Sequence, residues 1–126
     1  MEKLALVCLG GALGSGARYL VGTWSVAKLG TGFPWGTLAV NLLGSFAIAL
    51  VLHAASARTD FSPNMRLFLT TGILGGFTTY SAFNQETLEY FQGGQTARAF
   101  AYAAITLLAC LAAGYAGLSV GRAAFS

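Results

Sequence analysis

The sequence predicts an all-α membrane protein whose chain crosses the bilayer four times. Apolar residues make up 56% of the 126 residues and charged residues only 9%, whereas soluble domains carry about a quarter charged residues. Too few charges are therefore present to solvate a globular surface. The chain also contains four apolar runs, each near the roughly 20 residues that a helix needs to cross a bilayer. We place these runs at 4–24, 35–54, 65–91 and 96–121.

Short connections join the runs, so residues 1–126 are predicted to form one transmembrane domain. The formal charge of +3 is small and scattered, which argues against nucleic-acid binding. Basic residues divide almost evenly between the two sides of the predicted bundle, so the positive-inside bias is weak. A chain with so little preference can insert in both orientations, which would permit an antiparallel dimer.

The first run contains "GGALGSGARY", in which Gly10, Gly14 and Arg18 recur at intervals of four residues. This spacing places them on one helix face, and small residues there allow two helix backbones to approach closely. A secretory signal peptide is the alternative interpretation of the run. Arg18, which follows the glycine-rich face, fits a membrane helix that is retained in the mature protein better than a signal peptide that is removed. Its guanidinium either snorkels to the interface or faces water and anions.

The second run contains "GTLAVNLLGSF", which places Thr37, Asn41 and Ser45 on one stripe. A buried amide is costly unless it is paired, so Asn41 has two interpretations. It can hydrogen-bond to another membrane helix, or it can line a transport path.

The third run contains "GGFTTYSAF", an unusual composition for a membrane helix. Glycine lowers helix propensity, and threonine side chains compete for backbone hydrogen bonds. We therefore predict that the helix breaks near 75–79, in the middle of the membrane. A broken membrane helix exposes main-chain carbonyls that can hold ions. Carbonyl oxygens here would suit a hard cation such as Na⁺.

Tyr80 and Phe83 follow the predicted break and share a face of the resumed helix. Core packing is the simpler interpretation, but aromatic rings also carry a positive edge that can attract an anion. Glu86 continues this face, whereas Glu89 lies nearer the helix end and is predicted to be solvated.

The fourth run carries Tyr102, Thr106 and Cys110 at intervals of four residues. Such a row could pass an ion along the helix, or the threonine could bond to its own preceding turn. Cys8 and Cys110 lie inside apolar runs, where a free thiol behaves as a small hydrophobe. His53 lacks the three or four ligands that a zinc site uses and is predicted to have a plain interfacial role.

Three segments, "GGALGSGARY", "GTLAVNLLGSF" and "GILGGFTTYSAFNQET", resemble the signature segments of the Fluc fluoride channels, also called CrcB. The resemblance covers the whole chain, with each motif in its expected span. It implies an antiparallel homodimer of dual-topology subunits with two fluoride pores in a bacterial inner membrane. It also implies one Na⁺ per dimer, buried at the subunit interface and held by main-chain oxygens, which here belong to Gly75 and Thr78.

The resemblance assigns roles to particular side chains of this sequence. It places Arg18 in a vestibule and Glu86 close to the pore. The implied fluoride-pore residues are Asn41, Tyr80, Phe83, Tyr102, Thr106 and Cys110.

The sequence departs from the family pattern at three of its positions. Tyr80 stands where phenylalanine is usual, which keeps the ring edge and adds a hydroxyl. Cys110 replaces a usual serine and is a weaker donor, and Asn84 replaces another serine.

The expected function is passive fluoride export that lowers fluoride toxicity, with no enzymatic activity. No catalytic triad can be assembled, because the single histidine and the single aspartate lie in or near one loop. A small dual-topology multidrug or cation exporter is the alternative, but it needs a membrane-embedded carboxylate. Glu2 lies at the terminus, and no acid lies within the first run. A structural subunit that uses its glycine faces only for packing is a further alternative.

Overall fold

The structure, a computed structural model, describes residues 1–125. Every regular element in this range is helical. Along the chain these are α1 (Glu2–Leu29), α2 (Trp35–Ala57), α3 (Pro63–Leu67), a π-helical segment (Phe68–Leu74), α4 (Gly75–Phe77), α5 (Tyr80–Gln92) and α6 (Thr96–Phe125).

The three long helices α1, α2 and α6 are each long and apolar enough to cross a membrane. They contain the predicted runs 4–24, 35–54 and 96–121 and extend beyond them. Basic side chains occupy the last turns of α1 and α6, where a cation is stabilised by the helix dipole. The predicted run 65–91 is divided among shorter helices, none of which spans a membrane alone.

The helix interruption lies at Thr78 and Thr79, whose ψ angles of 159° and 120° are extended. It falls inside the predicted segment 75–79, at the C-terminal end of that segment. Gly75 has helical φ and ψ angles of −62° and −38°. Thr79 caps the next helix, because its Oγ1 accepts from the Ala82 amide at 3.2 Å.

The glycine face of α1 packs against residues 68–77, the part of the broken third segment that precedes the interruption. A Cβ at Gly10 would lie 2.8 Å from the Cα of Gly72, and one at Gly76 would lie 2.6 Å from the carbonyl oxygen of Gly11. Side chains are therefore excluded from both surfaces, and the backbones meet directly. This confirms the predicted close-packing face.

Helices α2 and α6 form the second close contact of the chain. A Cβ at Gly117 would lie 2.9 Å from the carbonyl carbon of Phe46, and Gly121 packs beside the His53 ring. The buried apolar core is small and consists of Leu38, Val40, Ala54, Ala99 and Tyr102. Most large apolar side chains face outwards, as in a protein surrounded by lipid.

We predict that Gly14→Ala lowers the free energy of unfolding by about 1–3 kcal/mol, the usual cost of overpacking. A Cβ at Gly14 would lie 2.9 Å from both the Ile73 carbonyl carbon and the Phe77 amide nitrogen. Gly16→Ala is the matched control, because a Cβ there meets nothing within 4 Å. Thermal unfolding in detergent should lower the midpoint for Gly14→Ala only. Equal midpoints would contradict the packing assignment.

Candidate ion-binding site

The interruption of the third segment is held by the side chain of Asn41. Its Nδ2 donates to the Thr79 carbonyl at 2.9 Å, and its Oδ1 accepts from the Thr79 amide at 2.8 Å. One amide side chain thus pairs both backbone groups of a residue that has left the helix. This is the interhelical hydrogen bonding that the sequence offered as one interpretation of Asn41.

The break changes the hydrogen bonding of two carbonyls. The Thr79 amide, which would bond to Gly75 in a continuous helix, donates to Asn41 instead. The Ala82 amide, which would bond to Thr78, donates to the Thr79 hydroxyl. The carbonyls of Gly75 and Thr78 are therefore available as oxygen ligands.

A cavity of about 650 Å³ lies beside the break, between α2, α5 and α6. It brings together most of the residues that the sequence predicted as a site. Its lining includes Asn41, Gly75, Thr78, Tyr80, Phe83, Thr106 and Cys110. Ser45, one turn beyond Asn41 on the same stripe, also lines it. The cavity wall contains no charged side chain, so its polarity comes from neutral groups.

Thr106 lies in this wall with an unpaired hydroxyl. The residue is 8% exposed, and its Oγ1 is buried with no hydrogen-bond partner among the described residues. The hydroxyl does not bond back to its own helix, which was the alternative interpretation of the sequence. An unpaired buried polar group costs about 1–3 kcal/mol, so this donor suits a bound species in the cavity.

Tyr80 and Phe83 both border the cavity and contact each other. Their ring centroids lie 5.6 Å apart in an edge-to-face arrangement. Phe83 is half-buried, whereas Tyr80 is 77% exposed at the surface of the single chain. The predicted shared face is confirmed, and both rings line the same cavity as Thr106.

Tyr102 lies behind Phe83 rather than in the cavity wall. Its ring centroid is 5.2 Å from that of Phe83, and its side chain is fully buried. Its hydroxyl donates to Glu86 Oε1 at 2.9 Å, and Thr37 donates to Glu86 Oε2 at 2.8 Å. The expected uninterrupted row along α6 is therefore confined to Thr106 and Cys110.

Sequence reasoning missed the contact between Thr37 and Glu86. The four-residue stripe of α2 indicated that Thr37 shares a face with Asn41. It did not show that this face meets α5, where Glu86 lies half-buried. Two hydroxyl donors thus surround a carboxylate whose charge would otherwise be poorly compensated.

Arg18 lies outside the cavity that contains Phe83. Its Nε donates to the Gly76 carbonyl at 3.1 Å, and its side chain lines a separate groove of about 730 Å³. Thr79 lines both the groove and the cavity, so the two are neighbours across the break. The guanidinium is therefore tied to the broken segment.

The remaining predicted residues are placed as follows. Cys8 and Cys110 are free thiols. Glu89 is exposed, as expected for a residue near the end of α5. Within residues 1–125, no group of three or more His, Cys, Asp or Glu side chains could hold a metal ion.

Comparison with known proteins identifies the family of this chain. Residues 5–118 match the family described as CrcB-like protein, Camphor Resistance (CrcB). The chain belongs to the CrcB family.

Three relatives within the CrcB family carry the name fluoride-specific ion channel FluC. The one from Anaeromyxobacter dehalogenans is 53% identical over 122 residues, which cover 97% of each chain. The one from Agrobacterium fabrum is 48% identical over 99% of this chain and 100% of its own. The one from Thermus thermophilus is also 48% identical, over 98% and 96%. This chain is a multi-pass protein of the bacterial inner membrane.

We predict that Asn41→Ala destabilises this CrcB protein, because it leaves the Thr79 amide unpaired. Such an unpaired group costs about 1–3 kcal/mol. Asn84→Ala is the matched control, since Asn84 is exposed on α5. Thermal unfolding in detergent should show a lower midpoint for Asn41→Ala alone. Similar midpoints for the two variants would show that the amide does not hold the break.

Proposed function

We propose that this chain is a fluoride-selective channel, not an enzyme, and that it passively exports fluoride from the cytoplasm and so lowers its toxicity. The observation that carries the proposal is the buried, unpaired hydroxyl of Thr106 in an uncharged cavity. The fluoride channels named among its relatives support the choice of anion.

The chemistry of the cavity suits a small, strongly hydrated anion. A conducting pore must replace the hydration shell with contacts that are favourable but weak and numerous. The Thr106 hydroxyl is a neutral donor, and the ring edges of Tyr80 and Phe83 add weak attraction. No cationic side chain lines this cavity, so its side chains would not trap fluoride.

The pore would continue beyond the cavity towards Glu86. Phe83 lies between the cavity and Tyr102, which hydrogen-bonds to Glu86. We infer that fluoride passes along this line of hydroxyl groups as the protons of Tyr102 and Thr37 turn from Glu86 towards it, because each hydroxyl has one proton to donate. Glu86 accepts from two of them, which offsets its charge near the path. Arg18 would concentrate anions in the neighbouring groove.

We further propose that residues 63–92 together cross the membrane, as the third of four spans along the chain. We also propose that two chains associate as an antiparallel homodimer. The single chain leaves much of its apolar surface uncovered, and Gly75 and Tyr80 at the break are exposed. The weak charge bias of the sequence permits insertion in both orientations. A second subunit would therefore complete the surface beside the break.

The break fits a structural Na⁺ at the dimer interface, one per dimer. The carbonyls of Gly75 and Thr78 are not used by the amides that a continuous helix would supply. Hard cations prefer such oxygen ligands. A bound Na⁺ would link the break of one subunit to the break of the other and would hold α5 in position.

Fluoride efflux from proteoliposomes, followed with a fluoride electrode, tests the proposal. The proposal expects rapid fluoride release that requires no proton gradient. Proton-coupled export of a cationic drug would instead identify a multidrug exporter. The absence of movement of either solute would identify a structural subunit.

In this assay we predict that Thr106→Val slows fluoride efflux about fivefold, because the path loses one hydrogen-bond donor worth about 1 kcal/mol. Removal of an unpaired buried hydroxyl should leave thermal stability unchanged or raised. Thr87→Val is the matched control, because the Thr87 hydroxyl donates to the Phe83 carbonyl at 2.8 Å and lies outside the cavity wall. Wild-type efflux in Thr106→Val would exclude the hydroxyl from the path.

Sodium removal provides an independent prediction. Protein prepared in N-methylglucamine salts, with no Na⁺ on either side, should lose fluoride efflux and regain it when Na⁺ is added. The expected reason is that α5 loses its fixed position without a cation at the break. K⁺ at the same concentration is the control for ionic strength. Full efflux in strictly Na⁺-free vesicles would eliminate the sodium site.

A further inference from the structure

A second polar cavity, of about 510 Å³, lies at the end of the bundle where α1 ends and α2 and α6 begin. The loop 30–34 borders it on one side, and α5 and the start of α6 border it on the other. Side chains of Glu86, Glu89, Tyr90 and Arg98 line it. We name this cavity the mouth.

The mouth is continuous with the line of hydroxyl groups beyond Phe83. Thr37 and Glu86 both line it and are hydrogen-bonded to each other. Glu86 also accepts from Tyr102, which contacts Phe83. An anion that passes Phe83 along this line therefore arrives in the mouth before it reaches bulk water.

The charges of the mouth would repel an anion if Arg98 were absent. Two carboxylates, Glu86 and Glu89, line the cavity, and Arg98 is the one cation among the lining residues. Arg98 is not held in a salt bridge: within residues 1–125 the one ion pair joins Arg58 and Asp60, at the other end of α2. Its charge is thus free to act on the cavity.

The fold positions the Arg98 guanidinium over the mouth. Its Nη1 donates to the Gly32 carbonyl at 3.4 Å, and the Tyr90 hydroxyl donates to the same oxygen at 3.4 Å. Phe33 anchors the loop 30–34, because its ring lies edge-to-face with that of Tyr102, with ring centroids 5.4 Å apart. The long Arg98 contact leaves most of its five N–H donors available to an anion.

We propose that Arg98 is an anion-attracting residue that binds fluoride transiently at the mouth and offsets the two carboxylates there. This inference rests on the proposed function. It adds a charged entry site, distinct from the groove that contains Arg18, at the opposite end of the hydroxyl line from the Thr106 cavity. Arg98 acts by its charge, and the contact with Gly32 only orients it.

The test measures fluoride efflux of Arg98→Gln at low fluoride. Arg98→Gln should be about threefold slower than wild type in roughly 10 mM salt, as expected for one charge near a wet cavity. The difference should vanish in about 1 M salt, where the screening length falls to about 3 Å. Arg98→Lys should stay near wild type, because it keeps the charge. These salt-dependent effects would not follow from a structural role.

Two further variants separate the mouth from the general surface charge. Lys28→Gln makes the same charge change on the same side of the membrane, but Lys28 does not line the cavity. Fluoride efflux through the Lys28→Gln variant should therefore equal that of wild type. Adding Glu89→Gln to Arg98→Gln should restore much of the lost rate.

Several outcomes would overturn the inference. Equal losses in Arg98→Gln and Arg98→Lys would assign Arg98 to the loop contact alone. An equal loss in Lys28→Gln would assign the effect to surface charge. Wild-type rates in Arg98→Gln would remove Arg98 from the path while leaving the channel function intact. Absence of fluoride efflux in the wild-type protein would instead overturn the proposed function itself.

Discussion

Backbone groups inside a bilayer have no water to bond to, so each break in a spanning segment must find its partners within the protein. Here the break at Thr78 and Thr79 depends on Asn41, which pairs with both the amide and the carbonyl of Thr79. This pairing allows the chain to change direction at that depth. It also sets where α5 begins, and hence where Phe83 and the other α5 side chains of the site lie.

Glycine contacts make the same arrangement possible on the other side of the broken segment. Because α1 has no side chain at Gly10 or Gly14, the segment 68–77 lies directly on its backbone. Such close packing supplies the van der Waals contact that drives association between membrane helices. The single chain has a small buried core, and Gly75 and Tyr80 are exposed at its surface. The site is therefore built at an edge of the chain.

Neutral and charged groups are separated along the proposed path. The cavity beside Thr106 is lined by uncharged residues, whereas Arg18 lies in a neighbouring groove and Arg98 at the mouth. A charge in the cavity beside Thr106 would bind an oppositely charged ion too strongly for release. Charges close to bulk water act through a higher dielectric and can attract an ion without retaining it. The arrangement is consistent with conduction of a small anion.

The sequence by itself determined the helical class, the three long membrane helices, the interruption near 75–79 and the stripes of glycine, hydroxyl and amide residues. These features follow from composition and a local period of 3.6 residues. Only the tertiary structure decided that Gly75 stays helical, that Tyr102 turns from the cavity to Glu86, and that Arg98 lies over the mouth. Periodicity tells which residues share a face, but not which neighbouring face they meet. Hydrogen-bond partners more than thirty residues apart, such as Asn41 and Thr79, are therefore fixed only when the helices pack.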